Sequence, residues 1–304
     1  MRALAHIAMR GRVQAIMSVT VLSILSLLIA PLSILSAAVV ALVTLHHGTK
    51  EGMLVVVSSW FASSVLSYFL FSDVLVGSGF ALVLWAPIWL LAVLLRSSRS
   101  LALVVQVALL LAFVAVGYFY LSFADPVEHW MKMLREPMQM LLQNSEVKVD
   151  TPEFEKLLQS VAQWMTAVLT AGFFLQLVMA LFIARWWQAV LYNPGGFGEE
   201  YRAMQYPQWL ALLAAPLLIW FMLGEPPEWL GAIATLLIAA YFLQGLAVAH
   251  ALLKHLNAHV VWITGVYVLL LLALPYVMTA LAMTGFTDAW MNFRKNVQSS
   301  ANDD

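Results

Sequence analysis

The sequence predicts an all-α protein, a polytopic bundle of about nine transmembrane helices (roughly eight to ten) with one extracytoplasmic helical insertion. Charged residues make up only 10% of the chain and hydrophobic residues 63%, whereas about 25% of a typical soluble domain is charged. Long stretches also lack Asp, Glu, Lys and Arg, and a bilayer core of about 30 Å needs roughly 20 apolar helical residues. These stretches are residues 13–49, 52–72, 74–95, 100–124, 157–184, 203–224, 229–253 and 255–287.

Runs such as Leu101 to Leu111 are apolar on every side, whereas the strands of a membrane β-barrel alternate polar and apolar residues. The spans are therefore predicted to be helices. A net charge of −1 gives no clustered excess of basic residues for binding nucleic acid. Membrane lipid is therefore the expected partner, and nucleic acid is not. The chain has no cysteine, which excludes disulfides and thiolate chemistry.

The first long stretch is predicted to form two spans. A single helix over residues 13–45 would be about 50 Å long, and Pro31, near its middle, removes a backbone donor and clashes with the preceding turn. The division places spans at 13–29 and 32–46. The remaining predicted spans are residues 52–71, 80–95, 100–122, 160–183, 207–224, 229–252 and 259–283.

The basic residues predict the orientation, because Lys and Arg in short loops remain in the cytoplasm. A cytoplasmic N-terminus places short outside loops at Asp73 and at Glu225 and Glu228, without a basic residue. This predicts a multi-pass protein of the cell inner membrane with its C-terminus outside. The basic residues then inside are Arg2, Arg10, Arg12, Lys50, Arg96, Arg99, Arg185, Arg202 and Lys254. Alternatively, a re-entrant element around Pro275 would return the basic, aromatic tail to the cytoplasm.

We expect one integral membrane domain over residues 1–304, with three segments outside the bilayer: residues 125–158, 185–206 and 286–304. In the first, Asp125 and Pro126 form a helix start, and apolar residues recur from Trp130 at helical spacing. This amphipathic helix lies either on the outer membrane surface or as a lid over the bundle. A second helix is expected to begin at Pro152 and to run into the span at 160–183.

The segment at 185–206 contains the turn Asn193-Pro194-Gly195-Gly196. Proline and glycine at these positions favour a turn, but no Lys-Ser or Lys-Thr follows, so the segment is not a P-loop. It is either a tight connection or a site of partner contact. The candidate contact residues are Arg185, Asn193, Gly195, Gly196 and Arg202.

The predicted spans contain no charged residue, so the sequence indicates no catalytic residue, no metal site and no cofactor, and the protein is not expected to be an enzyme. His255 and His259 are four residues apart, but two histidines without a nearby carboxylate are only a weak signal of a metal site. Neutral polar residues remain: Gln176 and Gln244, together with Asp73 at an outside loop, are the candidate ligand-binding residues. The glutamines alternatively join neighbouring helices.

Five features of the chain together carry a family resemblance. They are the hairpin broken at Pro31, the turn His46-His47-Gly48-Thr49-Lys50, the loop from Asn193 to Gly198, the span from Tyr241 to His250, and the ending from Asp288 to Lys295. With these the chain resembles the YybS-like family of bacterial integral membrane proteins of unknown function. That family is similar to the substrate-binding S components of energy-coupling-factor vitamin transporters.

The resemblance implies a bundle that captures a small molecule from outside, while a separate energising membrane protein supplies ATP hydrolysis. The chain departs from an S component in its larger number of predicted spans and in the insertion at 125–158. The leading hypothesis is therefore a small-molecule-binding or transport component. The alternative is a membrane scaffold or assembly factor without transport activity, and a membrane enzyme comes third.

Overall fold

The computed structural model describes residues 2–142 and 151–294, and within these ranges the protein is helical, without a strand. A π-helical segment, Ala81–Trp85, joins the fifth and sixth α-helices without a break. The α-helices are α1 (Arg2–Met9), α2 (Arg12–Leu25), α3 (Leu32–His47), α4 (Thr49–Phe71), α5 (Val74–Phe80), α6 (Ala86–Ser98), α7 (Leu101–Ser122), α8 (Pro126–Leu142), α9 (Pro152–Tyr192), α10 (Gly196–Arg202), α11 (Gln208–Leu223), α12 (Glu228–His255), α13 (Val260–Leu272) and α14 (Leu274–Met291).

Five helices within the described residues are long and apolar enough to cross a membrane, judged by length and composition. They are α4, the continuous Val74–Ser98 helix, α7, α9 and α12, and the shorter apolar helices are α2, α3, α11 and α13. Each of these helices overlaps a predicted span, which supports a multi-pass membrane protein. The number of crossings stays a prediction.

The break at Pro31 is confirmed. Helix α2 ends at Leu25 and α3 begins at Leu32, with Pro31 at its N-cap. The two helices pack against each other, and the Ser36 hydroxyl donates a hydrogen bond to the Val19 carbonyl at 3.0 Å. The proline thus divides one over-long apolar stretch into two packed helices.

The chain forms two compact units. Unit 1 comprises residues 1–108 and 175–205, and unit 2 comprises residues 109–174 and 206–304, of which 143–150 and 295–304 lie outside the described residues. The core of unit 1 includes α3, in which residues 37–42 are fully buried. The core of unit 2 is built around α12, the most buried of the five long candidate spans.

The predicted span at 259–283 is two helices in the structure. The chain breaks at Ala273, whose φ of −138° and ψ of 46° are not helical, and Pro275 lies in the first turn of α14, where a missing N–H is tolerated. Helix α14 then continues to Met291. The first residues of the predicted tail, 286–291, are therefore helical, and residues 295–304 of that tail lie outside the described residues.

Helices α12 and α14 approach each other closely at two glycines. A Cβ at Gly245 would lie 1.7 Å from the Leu281 carbonyl oxygen, and a Cβ at Gly285 would lie 2.1 Å from the Tyr241 carbonyl oxygen. Only glycine allows backbones to meet at such distances, as in other membrane helix pairs with small residues at the contact.

The predicted helix in the 125–158 insertion is confirmed as α8. Asp125 Oδ1 accepts a hydrogen bond from the Glu128 backbone N at 2.8 Å and thereby caps its first turn. Trp130 Nε1 donates to Thr166 Oγ1 at 2.8 Å, and Arg135 forms an ion pair with Glu155 at 2.6 Å. Helix α8 thus contacts α9 within unit 2. The insertion's residues 143–150 lie outside the described residues, and its position on the outer side stays a prediction.

Candidate functional site

The predicted ligand-binding residues of unit 1 have partners within the chain. Gln176 Nε2 donates a hydrogen bond to Ser33 Oγ at 3.1 Å, which links α9 to α3. Asp73 is exposed and caps α5 by accepting from the Leu75 backbone N at 2.7 Å. Neither Gln176 nor Asp73 lines the cavity of about 420 Å³ in unit 1. Their role in ligand binding stays a prediction.

Gln244, the predicted ligand residue of unit 2, is fully buried. Its side-chain oxygen accepts from the Tyr206 backbone N at 2.8 Å, and its amide nitrogen donates to Asp288 Oδ2 at 3.0 Å. The amide therefore joins helix α12 both to Tyr206, in the segment that precedes α11, and to α14. This geometry matches the alternative role of joining neighbouring helices, and a role in ligand binding remains a prediction.

Asp288, which was predicted to lie in the tail outside the bilayer, is a buried charge. Its carboxylate lies 2.6 Å from Arg294 Nη2 and accepts a hydrogen bond from the Phe293 backbone N at 3.1 Å. Both charged residues are at most 9% exposed. The glycine at 285, one helical turn before Asp288, was the available signal that this segment packs closely. Because the charge is paired and hydrogen-bonded, it serves as a helix crosslink.

The residues predicted for partner contact surround a compact turn in unit 1. Helix α9 continues through Arg185 to Tyr192, so the turn is confined to residues 193–195 and is shorter than the predicted loop at 185–206. Gly195 adopts a φ of 93°, which favours glycine. A Cβ at Gly196 would lie 2.6 Å from Asn193 Nδ2, so a larger residue here would displace the Asn193 side chain.

An ion pair holds α10 against the end of α9. Arg185 Nε donates to Glu200 Oε2 at 2.9 Å, and its Nη2 donates to the other carboxylate oxygen. On the opposite side of α10, Arg202 Nη1 would lie 3.0 Å from a Cβ at Gly198. Thus Arg185 belongs to a defined bidentate pair, whereas contact of Asn193, Gly195, Gly196 and Arg202 with a partner stays a prediction.

Next to this ion pair is a cavity of about 420 Å³, which we call the arginine cavity. It lies at the end of unit 1 where α3 and α6 terminate, beside the last turns of α9. Its lining residues are Leu45, Leu95, Arg96, Arg99, Arg185, Gln188 and Glu200. Of the residues predicted from the sequence, only Arg185 is among them.

Two residues of the arginine cavity anchor it to the C-terminus of α3. Arg96 Nη1 donates to the backbone carbonyl of Leu45 and, at 3.1 Å, to that of His46. Gln188 Nε2 donates to the Leu45 carbonyl at 3.4 Å. The last carbonyls of a helix lack partners within the helix and carry partial negative charge. The guanidinium of Arg96 therefore caps α3 and is held at the edge of the cavity.

The arginine cavity carries a surplus of positive charge, because three arginines and a single carboxylate line it. Glu200 is paired with Arg185. Arg99 is exposed and lies at the left-handed position after α6 (φ 53°), where its backbone N donates to the Leu95 carbonyl. Its guanidinium forms no hydrogen bond or ion pair within the described part of the chain. Guanidinium groups bind carboxylates and phosphates through pairs of parallel hydrogen bonds. This cavity is chemically suited to an anion.

The cluster of Arg96, Arg99, Gln188 and Glu200 was not predicted from the sequence. Arg96 and Arg99 entered only the prediction of orientation, and the available signal for a site was their three-residue spacing beside Ser97 and Ser98. These two arginines are distant in sequence from Gln188 and Glu200, so only the packing of α3, α6, α9 and α10 brings the four residues together.

No group of three or more His, Asp or Glu side chains suited to a metal ion occurs among residues 2–142 and 151–294. His259 instead serves as the N-cap of α13, with its Nδ1 accepting from the Val261 backbone N at 3.4 Å. This contact gives the residue a structural role within the described chain.

No curated protein and no solved structure matches the chain significantly. A family model described as "Predicted membrane protein (DUF2232)" matches residues 15–289, which is most of the sequence. This match is consistent with the resemblance to the YybS-like proteins, and it includes both units of the fold. The chain therefore belongs to the DUF2232 family of predicted membrane proteins.

Proposed function

We propose that this membrane protein binds a small anionic solute in the arginine cavity and acts as the solute-binding component of a transport system. The observation that carries the proposal is the lining of the cavity, where Arg96, Arg99 and Arg185 face a single carboxylate. An anion would satisfy the guanidinium donors that the chain itself leaves available. The volume of the cavity, about 420 Å³, is suited to a small ligand, because ligand pockets are typically about 300–1,000 Å³.

We further propose a location in the cell inner membrane with the N-terminus in the cytoplasm. In unit 1, Arg12 pairs with Glu51 at 2.7 Å, and Glu51 lies in the first turn of α4, which begins next to the α3 end that Arg96 caps. Arg12 and Arg96, both predicted to be inside, therefore lie toward the same end of this unit, which supports this orientation. The arginine cavity would then open toward the cytoplasm.

A separate energising membrane protein belongs to the same proposal. The sequence contains no nucleotide-binding P-loop. Transport against a gradient would therefore need energy from another protein. The alternative, a scaffold or assembly factor, would use the exposed turn at Asn193, Pro194 and Gly195 as its contact.

The binding proposal can be tested with the full-length protein purified in detergent. Thermal unfolding is followed while inorganic phosphate and a series of mono- and dicarboxylates are titrated at constant ionic strength. A ligand that binds the folded state raises the unfolding midpoint in a saturable way. We expect at least one of these anions to do so, and we expect neutral solutes to have no effect.

The arginine variants locate the site. Because a hydrogen bond to a charged group contributes about 1.5–3 kcal/mol, Arg99→Gln should weaken anion binding by about tenfold to a hundredfold. The matched control Arg10→Gln removes the same charge from an exposed position outside the cavity and should leave binding unchanged. Equal losses in both variants, or no saturable anion binding by the wild type, would exclude the arginine cavity as the site.

If instead replacement of residues 193–198 abolishes co-purification of a partner, the scaffold hypothesis is favoured.

A further inference from the structure

Unit 2 contains a second cavity, of about 250 Å³, which we call the aromatic cavity. One wall is the α9 surface at Gln163, Trp164 and Ala167. The other walls of the cavity are formed by Phe221, near the end of α11, and by the first residues of α12. The full lining is Gln163, Trp164, Ala167, Phe221, Pro226, Pro227, Glu228, Gly231 and Ala232.

The chain around the aromatic cavity has a constrained shape. Pro226 and Pro227 connect α11 to α12, and proline fixes the backbone φ angle, here −64° at Pro227. Gly231 faces the ring of Phe221, since a Cβ at this glycine would lie 3.8 Å from Phe221 Cε2. The wall that carries Phe221 and Glu228 is therefore set by backbone geometry.

Glu228 gives the aromatic cavity a negative charge. It is the one charged residue among the described residues that line the cavity, and neither a hydrogen bond nor an ion pair engages its carboxylate in the described chain. Asp125 of the same unit adds a second negative charge, which acts repulsively on Glu228. The helix start accounts for an acidic residue at this position, but an uncompensated carboxylate beside a second acidic residue also attracts a cation.

The aromatic rings select the kind of cation. The faces of Trp and Phe rings carry negative partial charge and attract organic ammonium groups, with Trp the strongest. Recognition of alkylammonium ions commonly combines such rings with a carboxylate. A small inorganic cation would instead need several converging oxygen ligands, and Glu228 supplies the only carboxylate of the described lining.

We propose that the aromatic cavity binds an alkylammonium group, with Glu228 as its counter-ion and the rings of Trp164 and Phe221 against its apolar substituents. The group belongs either to a free solute or to the headgroup of a lipid. The site lies entirely within unit 2, so the proposal does not depend on anion binding in the arginine cavity of unit 1.

Choline is the probe for a free solute. Its binding to the purified full-length protein is measured by calorimetry, with sodium chloride added to match ionic strength. We expect saturable binding that Glu228→Gln weakens about tenfold or more and Trp164→Leu weakens about threefold. The matched control Glu225→Gln removes a neighbouring exposed charge outside the cavity and should leave binding unchanged. Gel filtration and circular dichroism confirm that each variant is folded.

Two further measurements separate the outcomes. The uncharged carbon analogue of choline has the same shape, and binding equal to that of choline would overturn the proposal because the charge would then be irrelevant. Native mass spectrometry tests the lipid source by comparing phosphatidylethanolamine with phosphatidylglycerol. Selective retention of phosphatidylethanolamine that Glu228→Gln abolishes assigns the site to a headgroup. Absence of both choline binding and this selectivity, or equal losses in the two glutamine variants, overturns the proposal.

Discussion

Gln244 and Asp288 are 44 residues apart in the sequence, yet the Gln244 amide donates a hydrogen bond to Asp288 Oδ2 at 3.0 Å in a fully buried position. The same oxygen accepts from Arg294 at 2.6 Å. Two helices of unit 2 are thereby joined by a polar contact, next to the glycines at which their backbones meet. Buried polar groups that hydrogen-bond across a helix contact favour one arrangement of the helices.

The Asp288–Arg294 pair provides the first prediction. Asp288→Asn keeps the shape of the side chain but leaves the guanidinium charge of Arg294 without its counter-ion, so the free energy of unfolding in mixed micelles should fall by about 3–5 kcal/mol. Adding Arg294→Met should recover part of this loss, because the buried charge is then removed as well. A loss below about 1 kcal/mol in the single variant would show that water screens the pair.

The glycine contact between α12 and α14 provides the second prediction. Gly245→Ala and Gly285→Ala each place a methyl group inside the contact distance of a backbone carbonyl, so each should destabilise unit 2 by at least about 1–3 kcal/mol. The control is Gly265→Ala in α13, where no heavy atom lies within 4 Å. That change should be neutral or stabilising, by up to about 1 kcal/mol. Similar thermal unfolding of all three variants would contradict the close crossing.

The Ser36–Trp85 hydrogen bond gives the third prediction. Trp85 Nε1 donates to Ser36 Oγ at 3.1 Å in the core of unit 1. Ser36→Ala leaves the buried indole N–H without an acceptor and should cost about 1–3 kcal/mol of unfolding free energy. Ser36→Thr retains a hydroxyl acceptor and should recover part of that loss. If both variants unfold at the same temperature, the hydrogen bond contributes nothing.

The turn before α10 gives the fourth prediction. Gly195 has a φ of 93°, and a Cβ there would meet no heavy atom within 4 Å. Gly195→Ala therefore tests backbone strain alone and should cost about 1–2 kcal/mol. Gly172→Ala, within helix α9 and equally free of neighbours, should not destabilise the protein. The comparison is made by chemical denaturation in micelles, and equal midpoints would contradict the turn geometry.

The membrane orientation gives the fifth prediction. Because the chain has no cysteine, single cysteines can be labelled in cells without background. Lys50→Cys and Ser97→Cys should react with an impermeant maleimide only after the membrane is opened, whereas Glu225→Cys should react in intact cells. Labelling that places Lys50 and Ser97 on opposite faces would reject the proposed topology.

Helix positions were largely predictable, because apolar stretches in a bilayer must satisfy their backbone hydrogen bonds internally. Pro31 and the helix start at Asp125 carry local signals, and the structure agrees with both. The break at Ala273 was weaker in the sequence, since Pro275 can lie within a kinked span or begin a new helix. The extent of α9, from Pro152 to Tyr192, was predicted at its start and underestimated at its end.

The candidate site was far less predictable. Arg96 and Gln188 meet at the carbonyls that end α3, and no local pattern in the sequence indicates such a meeting. Asp288 was assigned to the tail because a charge usually ends a span, although a nearby arginine and glutamine allow it to be buried.

Hydropathy, proline and capping residues affect the conformation of residues close to them in the sequence. The sequence by itself therefore determined the helices, their membrane character and most of their ends. Only the tertiary structure decided which charges are paired, where Gly245 and Gly285 let backbones meet, and which residues line the two cavities. The physical reason is that lipid stabilises an apolar helix whichever helix packs against it. Polar contacts and close backbone approach instead depend on distances between residues far apart in the chain.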